Sequence, residues 1–226
     1  MGLSACGGGS SNGDGLPAGL GVESDEFDGD LSNWSFLNFA EASVQIQDGQ
    51  VQVEPVANSL WFNADSGVLV YKNISGNFRV TSYATVRSLD NPLLPPQAIN
   101  LGGLMAHAPQ LLAADENYVH IAYGSVTGSA IVETKTTIDN QSNFQTSAWP
   151  TAEGELGICR VGDTFMLLNR EFGSEWQVVA QYERPDLPET LEVGMMSYSN
   201  ANPDLLAEFE YIHFSIVEDL NGCDDE

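Results

Sequence analysis

The residues able to do chemistry in this chain are few. Its three histidines are His107, His120 and His213, and Tyr118 stands two residues before His120, so both lie on one face of any strand that contains them. Arg79, Tyr83 and Arg87 share a face of the run Phe78–Arg87 in the same way. If the two strands are neighbours, Arg79, Tyr83 and His120 form a set suited to proton transfer on a sugar; polar residues on a solvated sheet face are the plainer reading. Glycoside hydrolysis would need two carboxylates flanking the scissile bond. The acids of Glu23, Asp25, Glu26 and Asp28 sit where the folded part of the chain begins, and they read better as an acidic strand edge. No Gly-x-Ser-x-Gly elbow and no Cys/His cluster with zinc spacing occurs.

Binding a sugar asks for less: a ring to stack on its apolar face and a few groups for its hydroxyls. Trp61, Trp149 and Trp176, with Tyr71, Tyr83, Tyr118 and Tyr123, are candidates. Trp149 is singled out because it precedes Pro150 after the polar stretch 141–148, read as a loop, where a large ring is hard to explain as core. Trp34 and Trp176 are read as core.

These residues are positioned by a chain that alternates with period two. In Phe78–Arg87, Phe78, Val80, Ser82, Ala84 and Val86 point one way, and Arg79, Thr81, Tyr83, Thr85 and Arg87 the other. Similar runs fall near 44–46, 50–54, 59–63, 68–73, 118–123, 130–137, 154–160, 164–169, 176–182, 191–198 and 208–217. Turn signals such as Asp48-Gly49, Ser75-Gly76-Asn77 and Val161-Gly162-Asp163 separate them. No stretch holds a 3.6-residue period for three turns. The fold class is therefore all-β, two packed antiparallel sheets in one domain. Hydrophobic residues make up 42%, enough for a core of that size.

Seven basic against 32 acidic residues leave a formal charge of 7 − 32 = −25. Nucleic acid is excluded as a partner, since phosphate contacts need clustered Lys and Arg. No apolar run approaches the ~20 residues of a membrane-spanning helix. So acidic a surface suits secretion into salty water, and it makes a neutral glycan the easier ligand.

Several segments resemble known proteins. Ser24-Asp25-Glu26-Phe27-Asp28-Gly29 with Leu31 and Trp34 resembles the opening of concanavalin A-like jelly-roll domains, including the group related to C-terminal modules of some β-xylosidases. Ile74 to Val80, Gly102-Gly103-Leu104-Met105, Leu156 to Phe165, Phe172 to Trp176, Val193-Gly194-Met195 and Ala207 to Tyr211 are similar to successive strands of that group, in order. Gly157 stands where an arginine is usual, Phe172 where an aspartate is usual, and Glu210 where aspartate closes the domain. The resemblance implies a concanavalin A-like jelly roll over residues 23–217. A structural calcium held by Asp25, Asp28 and Glu210, where first and last strands pair, is an expectation beside the plainer reading of solvated acids.

Leu3-Ser4-Ala5-Cys6 followed by a Gly/Ser-rich stretch resembles a lipobox, which implies export and a lipid anchor at Cys6. Residues 1–22 then form a leader and tether, and 218–226 an acidic tail. Cys159, inside an apolar strand, is read as a buried free thiol; pairing with Cys223 in an export compartment is the alternative. The functional expectation is an exported, non-catalytic glycan-binding or adhesion module. Ligand contacts are expected from Arg79, Tyr83, Arg87, Tyr118, His120 and Trp149 on a concave sheet face. A hydrolase or lyase on the same fold, and a purely structural protein, are the alternatives.

Overall fold

A computed structural model describes residues 21, 23–56, 58–96, 99–110, 115–200 and 204–224. Cys6 and the expected tether, apart from Gly21, lie outside the described residues. Fifteen strands follow one another among those described: β1 (Ser35–Leu37), β2 (Ala42–Gln47), β3 (Gln50–Pro55), β4 (Val68–Ser75), β5 (Phe78–Arg87), β6 (Ile99–His107), β7 (Tyr118–Val126), β8 (Ser129–Ile138), β9 (Gln141–Ala148), β10 (Glu153–Val161), β11 (Thr164–Arg170), β12 (Gln177–Glu183), β13 (Thr190–Asn200), β14 (Leu206–Phe209) and β15 (His213–Ser215). No α-helix occurs among the described residues.

The strands make two antiparallel sheets. One has seven strands in the order β1-β4-β13-β6-β7-β8-β9; the other has eight, β12-β11-β10-β5-β14-β3-β2, with β15 beside β5. This is the all-β sandwich of two antiparallel sheets that the alternating runs imply, and it fits the jelly roll that the resemblance implies. Two-residue hairpins at Asp48-Gly49 and Asp139-Asn140 have positive φ at both positions, the backbone twist that a tight antiparallel hairpin requires. The inward residues of both sheets interleave as one core: Val80 and Ala84 of β5, Leu104 of β6, Ile121 of β7, Ile158 of β10 and Met195 of β13, among others.

The seven-stranded sheet is buried on its outer face as well. Residues of β6, β7, β8 and β13 are buried almost without interruption, the pattern of a sheet covered on both sides. Its cover is the segment between β3 and β4. The run 59–63, expected as a strand, makes only isolated bridges, Ser59 to Ser199 and Phe62 to Asp65. It lays Trp61, fully buried, over Leu69, Leu101, Met105, Tyr118 and Met196. Close strand approach beneath it needs glycine: a Cβ on Gly103 would fall 2.1 Å from the Ile121 carbonyl oxygen.

Two further expectations change. The polar stretch 141–148 is an edge strand, β9, rather than a loop; its side chains are mostly exposed, so it carries no apolar signal. Cys159 is not a free thiol. It pairs with Cys223 across 64 residues, fixing the 3₁₀ turn Leu220–Cys223 over Met166, Leu168 and Val217 on the outer face of the eight-stranded sheet. Closing a loop of that size in the unfolded chain is worth about 4 kcal/mol in the chain-entropy picture, and about 2–5 kcal/mol in small secreted domains. A Cys159→Ala, Cys223→Ala double variant should lose about 2–4 kcal/mol of urea-unfolding stability. An unchanged urea midpoint would show that the tie constrains nothing.

Candidate functional site

Alternation places the expected ligand residues on two different surfaces. Tyr118 and His120 of β7 face outward from the seven-stranded sheet; Arg79, Tyr83 and Arg87 of β5 face outward from the eight-stranded one. The structure therefore does not bring Arg79 and Tyr83 to His120, and the sandwich core lies between them.

The first surface is closed. Tyr118 and His120 have no solvent exposure, so the expected solvated face is a buried one. Its charges come in matched groups. The Lys135 ammonium lies 2.8 Å from Glu133 and donates to the Trp61 carbonyl at 2.8 Å. His120 Nε2 lies 3.0 Å from the same Glu133 oxygen, while Nδ1 has no partner. Burial, with Lys135 nearby, pushes the His120 imidazole down to about 4, so it is neutral and donates from Nε2. His107 has carboxylates on both sides, Glu192 at Nδ1 (2.8 Å) and Glu116 at Nε2 (2.9 Å), and the Trp61 ring packs edge-on against it. Burial alone would lower this imidazole; the two carboxylates outweigh burial and raise it, because both ring nitrogens must donate.

The second surface is open. Trp176 lies over Gly157, whose missing side chain leaves room for the indole where an arginine would stand. The Arg79 and Arg170 guanidiniums sit 5.0 and 4.4 Å from its ring, a cation–π contact on each. Trp176 is thus half-buried, packed against the small cluster of Cys159, Met166 and Leu168 on the outer face rather than between the sheets; Trp34 belongs to the main core. Arg170 forks onto Glu155 through Nε (2.6 Å) and Nη2 (3.1 Å), and the Tyr211 hydroxyl donates to Glu155 at 2.6 Å. Beyond lies Tyr83, its ring 6.1 Å from Phe172 in an edge-to-face pair. Burial, then Glu153, Glu210 and Glu155, raises the Tyr83 phenol, which keeps its proton. Phe172 caps the turn between β11 and β12 and is 77% exposed. Arg87 forks onto Glu208 (2.7 and 3.0 Å), and Gln52 and Gln45 continue that line of hydrogen bonds across β3 and β2.

Phe172 joins the site although sequence reasoning did not place it there; the signal was an aromatic where the resemblance calls for aspartate. Trp149 moves the other way. It packs against the core, stacks on Tyr123 at 5.7 Å and donates to the Glu153 carbonyl at 3.3 Å. Of the expected calcium ligands, Asp25 accepts from the Phe27 backbone N–H and the Trp34 indole, at 2.8 and 2.9 Å. Among the described residues no three His, Cys, Asp or Glu side chains form a group that could hold a metal ion.

No protein-family model matches the chain, and neither does any curated protein sequence. Its likeness is to solved structures. A functionally unknown protein from Saccharomyces cerevisiae superposes with a TM-score of 0.69 at 15% identity, over 84% of this chain and 100% of that one. A xylan β-1,4-xylosidase from Bacillus halodurans gives 0.64 at 17%, over 90% of this chain and 41% of the enzyme, so this chain spans about two-fifths of it. A lectin from Bauhinia forficata, solved with GalNAc, gives 0.57 at 8%, over 86% and 97%. At such identities the likeness is one of fold, and it agrees with the concanavalin A-like jelly roll expected above.

The buried histidines make stability depend on pH in a stated direction. His107, raised in the folded state, contributes stability that is complete below about 6.5, its unfolded value, and is lost as pH rises through its raised folded value. His120, depressed to about 4, costs stability as pH falls from about 6.5 toward 4. The melting temperature should therefore fall on both sides of weakly acidic to neutral pH. His107→Gln should flatten the alkaline limb only; an alkaline slope equal to the parent's would remove the doubly bonded imidazolium from the account.

Proposed function

We propose that this domain binds neutral glycan on the outer face of the eight-stranded sheet, without cutting it. The observation that carries the reading is the exposed Phe172 ring set edge-on to Tyr83, over a bed of charges already paired with one another. An aromatic ring offers a sugar its apolar face, and side chains fixed by their neighbours lose little freedom when a ligand arrives. Arg87 and Arg170 are each forked onto a carboxylate, so neither offers a bare cation to an acidic polysaccharide. Alternate residues of β5 are ~6.6 Å apart, close to the repeat of a sugar chain.

The same pairing argues against hydrolysis. Glu155 and Glu208 are each tied to an arginine fork by two guanidinium N–H bonds, rather than standing free on either side of a bond to be cut. The Cys159–Cys223 disulfide supports the expectation of an exported protein, because such bonds persist in oxidising compartments.

Phe172→Ala and Tyr83→Ala test this reading on a glycan array and by calorimetry. Each should weaken binding by about 1 kcal/mol, a stacking-sized loss, with an unchanged melting temperature. Release of reducing sugar by the parent, or binding indifferent to both rings, would overturn it.

A further inference from the structure

One end of this surface is a pocket. Where β5 ends, a space of about 320 Å³ opens between the 88–96 loop and the segment before β10. Thr85, Arg87 and Glu153 supply its polar wall, and Pro92, Leu94 and Pro150 its apolar one. Both sides are held in place. The Ser88 N–H donates to the Leu93 carbonyl at 2.8 Å, while Asp204 accepts from the Ser88 hydroxyl and the Leu89 N–H, each at 3.1 Å. Across the space, the Val86 N–H donates to the Ala152 carbonyl at 2.8 Å, and Trp149, stacked on Tyr123, is bonded to the Glu153 carbonyl. Trp149 is thus a positioning residue for the Pro150 wall.

Thr85 and Arg87 continue the outward row that contains Tyr83, so the pocket lies about one sugar length beyond that ring. Its volume is at the small end of the ~300–1,000 Å³ range of small-molecule sites, suited to the end of a chain rather than its length. The mixture of proline and leucine surfaces with a hydroxyl, a guanidinium and a carboxylate suits a pyranose, which has apolar C–H faces and a rim of hydroxyls. Arg87 is neutralised by Glu208, so the pocket gains nothing from an acidic sugar.

We infer, resting on the glycan reading above, that this pocket seats the terminal sugar of a neutral glycan, so that the domain recognises chain ends. The test uses the full chain with cellohexaose, xylohexaose and laminarihexaose, and with the matching polymers before and after partial hydrolysis. Thr151→Trp and Pro92→Trp, substitutions on opposite exposed rims, should each fill the pocket and weaken hexasaccharide binding at least tenfold; their melting temperatures check folding. Binding capacity per mass of polymer should rise in proportion to the chain ends created. If both filled variants bind like the parent while Phe172→Ala does not, or if capacity ignores chain ends, the pocket assignment is wrong and the aromatic surface stands. If the parent binds none of the probes, or if Phe172→Ala and Tyr83→Ala also bind like the parent, the underlying glycan reading falls with it.

Discussion

Charges buried on the outer face of the seven-stranded sheet constrain everything else in this molecule. Lys135, His107, His120, Glu116 and Glu133 are buried there, out of reach of water, and Glu192 is partly buried beside them. An unpaired charge there would cost several kcal/mol, so each ionised group must keep its partner. Glu133 answers Lys135 and His120; Glu116 and Glu192 answer His107. Because Lys135 also donates to the Trp61 carbonyl, the covering segment is fastened by the charges that it hides. The face over β6, β7 and β13 is closed to a ligand by this arrangement.

The eight-stranded sheet carries the opposite burden. One end of its outer face is covered by the disulfide-tied C-terminal turn, the other is bounded by the 88–96 loop, and the stretch between them is wet. Its arginines are fixed by stacking on Trp176 or by forking onto Glu155 and Glu208. A net charge of −25 sets the approach of any ligand, and local pairing leaves neither Arg87 nor Arg170 as a bare cation. The proposed reading of a neutral sugar as ligand rests on those two facts together.

Much of this is legible in the residues, and the gaps have physical causes. The alternation of Phe78–Arg87 reports one buried and one wet face faithfully, because nothing folds over β5 except at its ends. The same period in β7 cannot reveal that Tyr118 and His120 are buried, since the cover comes from Trp61, distant in sequence. The run 59–63 looks like a strand because a buried ring and its neighbours are apolar in either role. Strand β9 is invisible for the reverse reason: an exposed edge needs no apolar face. Trp149 looks stranded in a polar stretch, yet Tyr123 of β7 waits beneath it. For the cysteines, no local pattern says that the chain's end returns to β10.

The most direct test of the account is amide shift mapping by NMR as cellohexaose, xylohexaose and laminarihexaose are added in turn. Perturbations should gather on β5 and β10, the 171–176 turn and the 88–96 loop, with β7, β8 and β9 silent. Shifts centred on β7 and β8 around Tyr118, His120 and Lys135, with the β5 face unmoved, would contradict it.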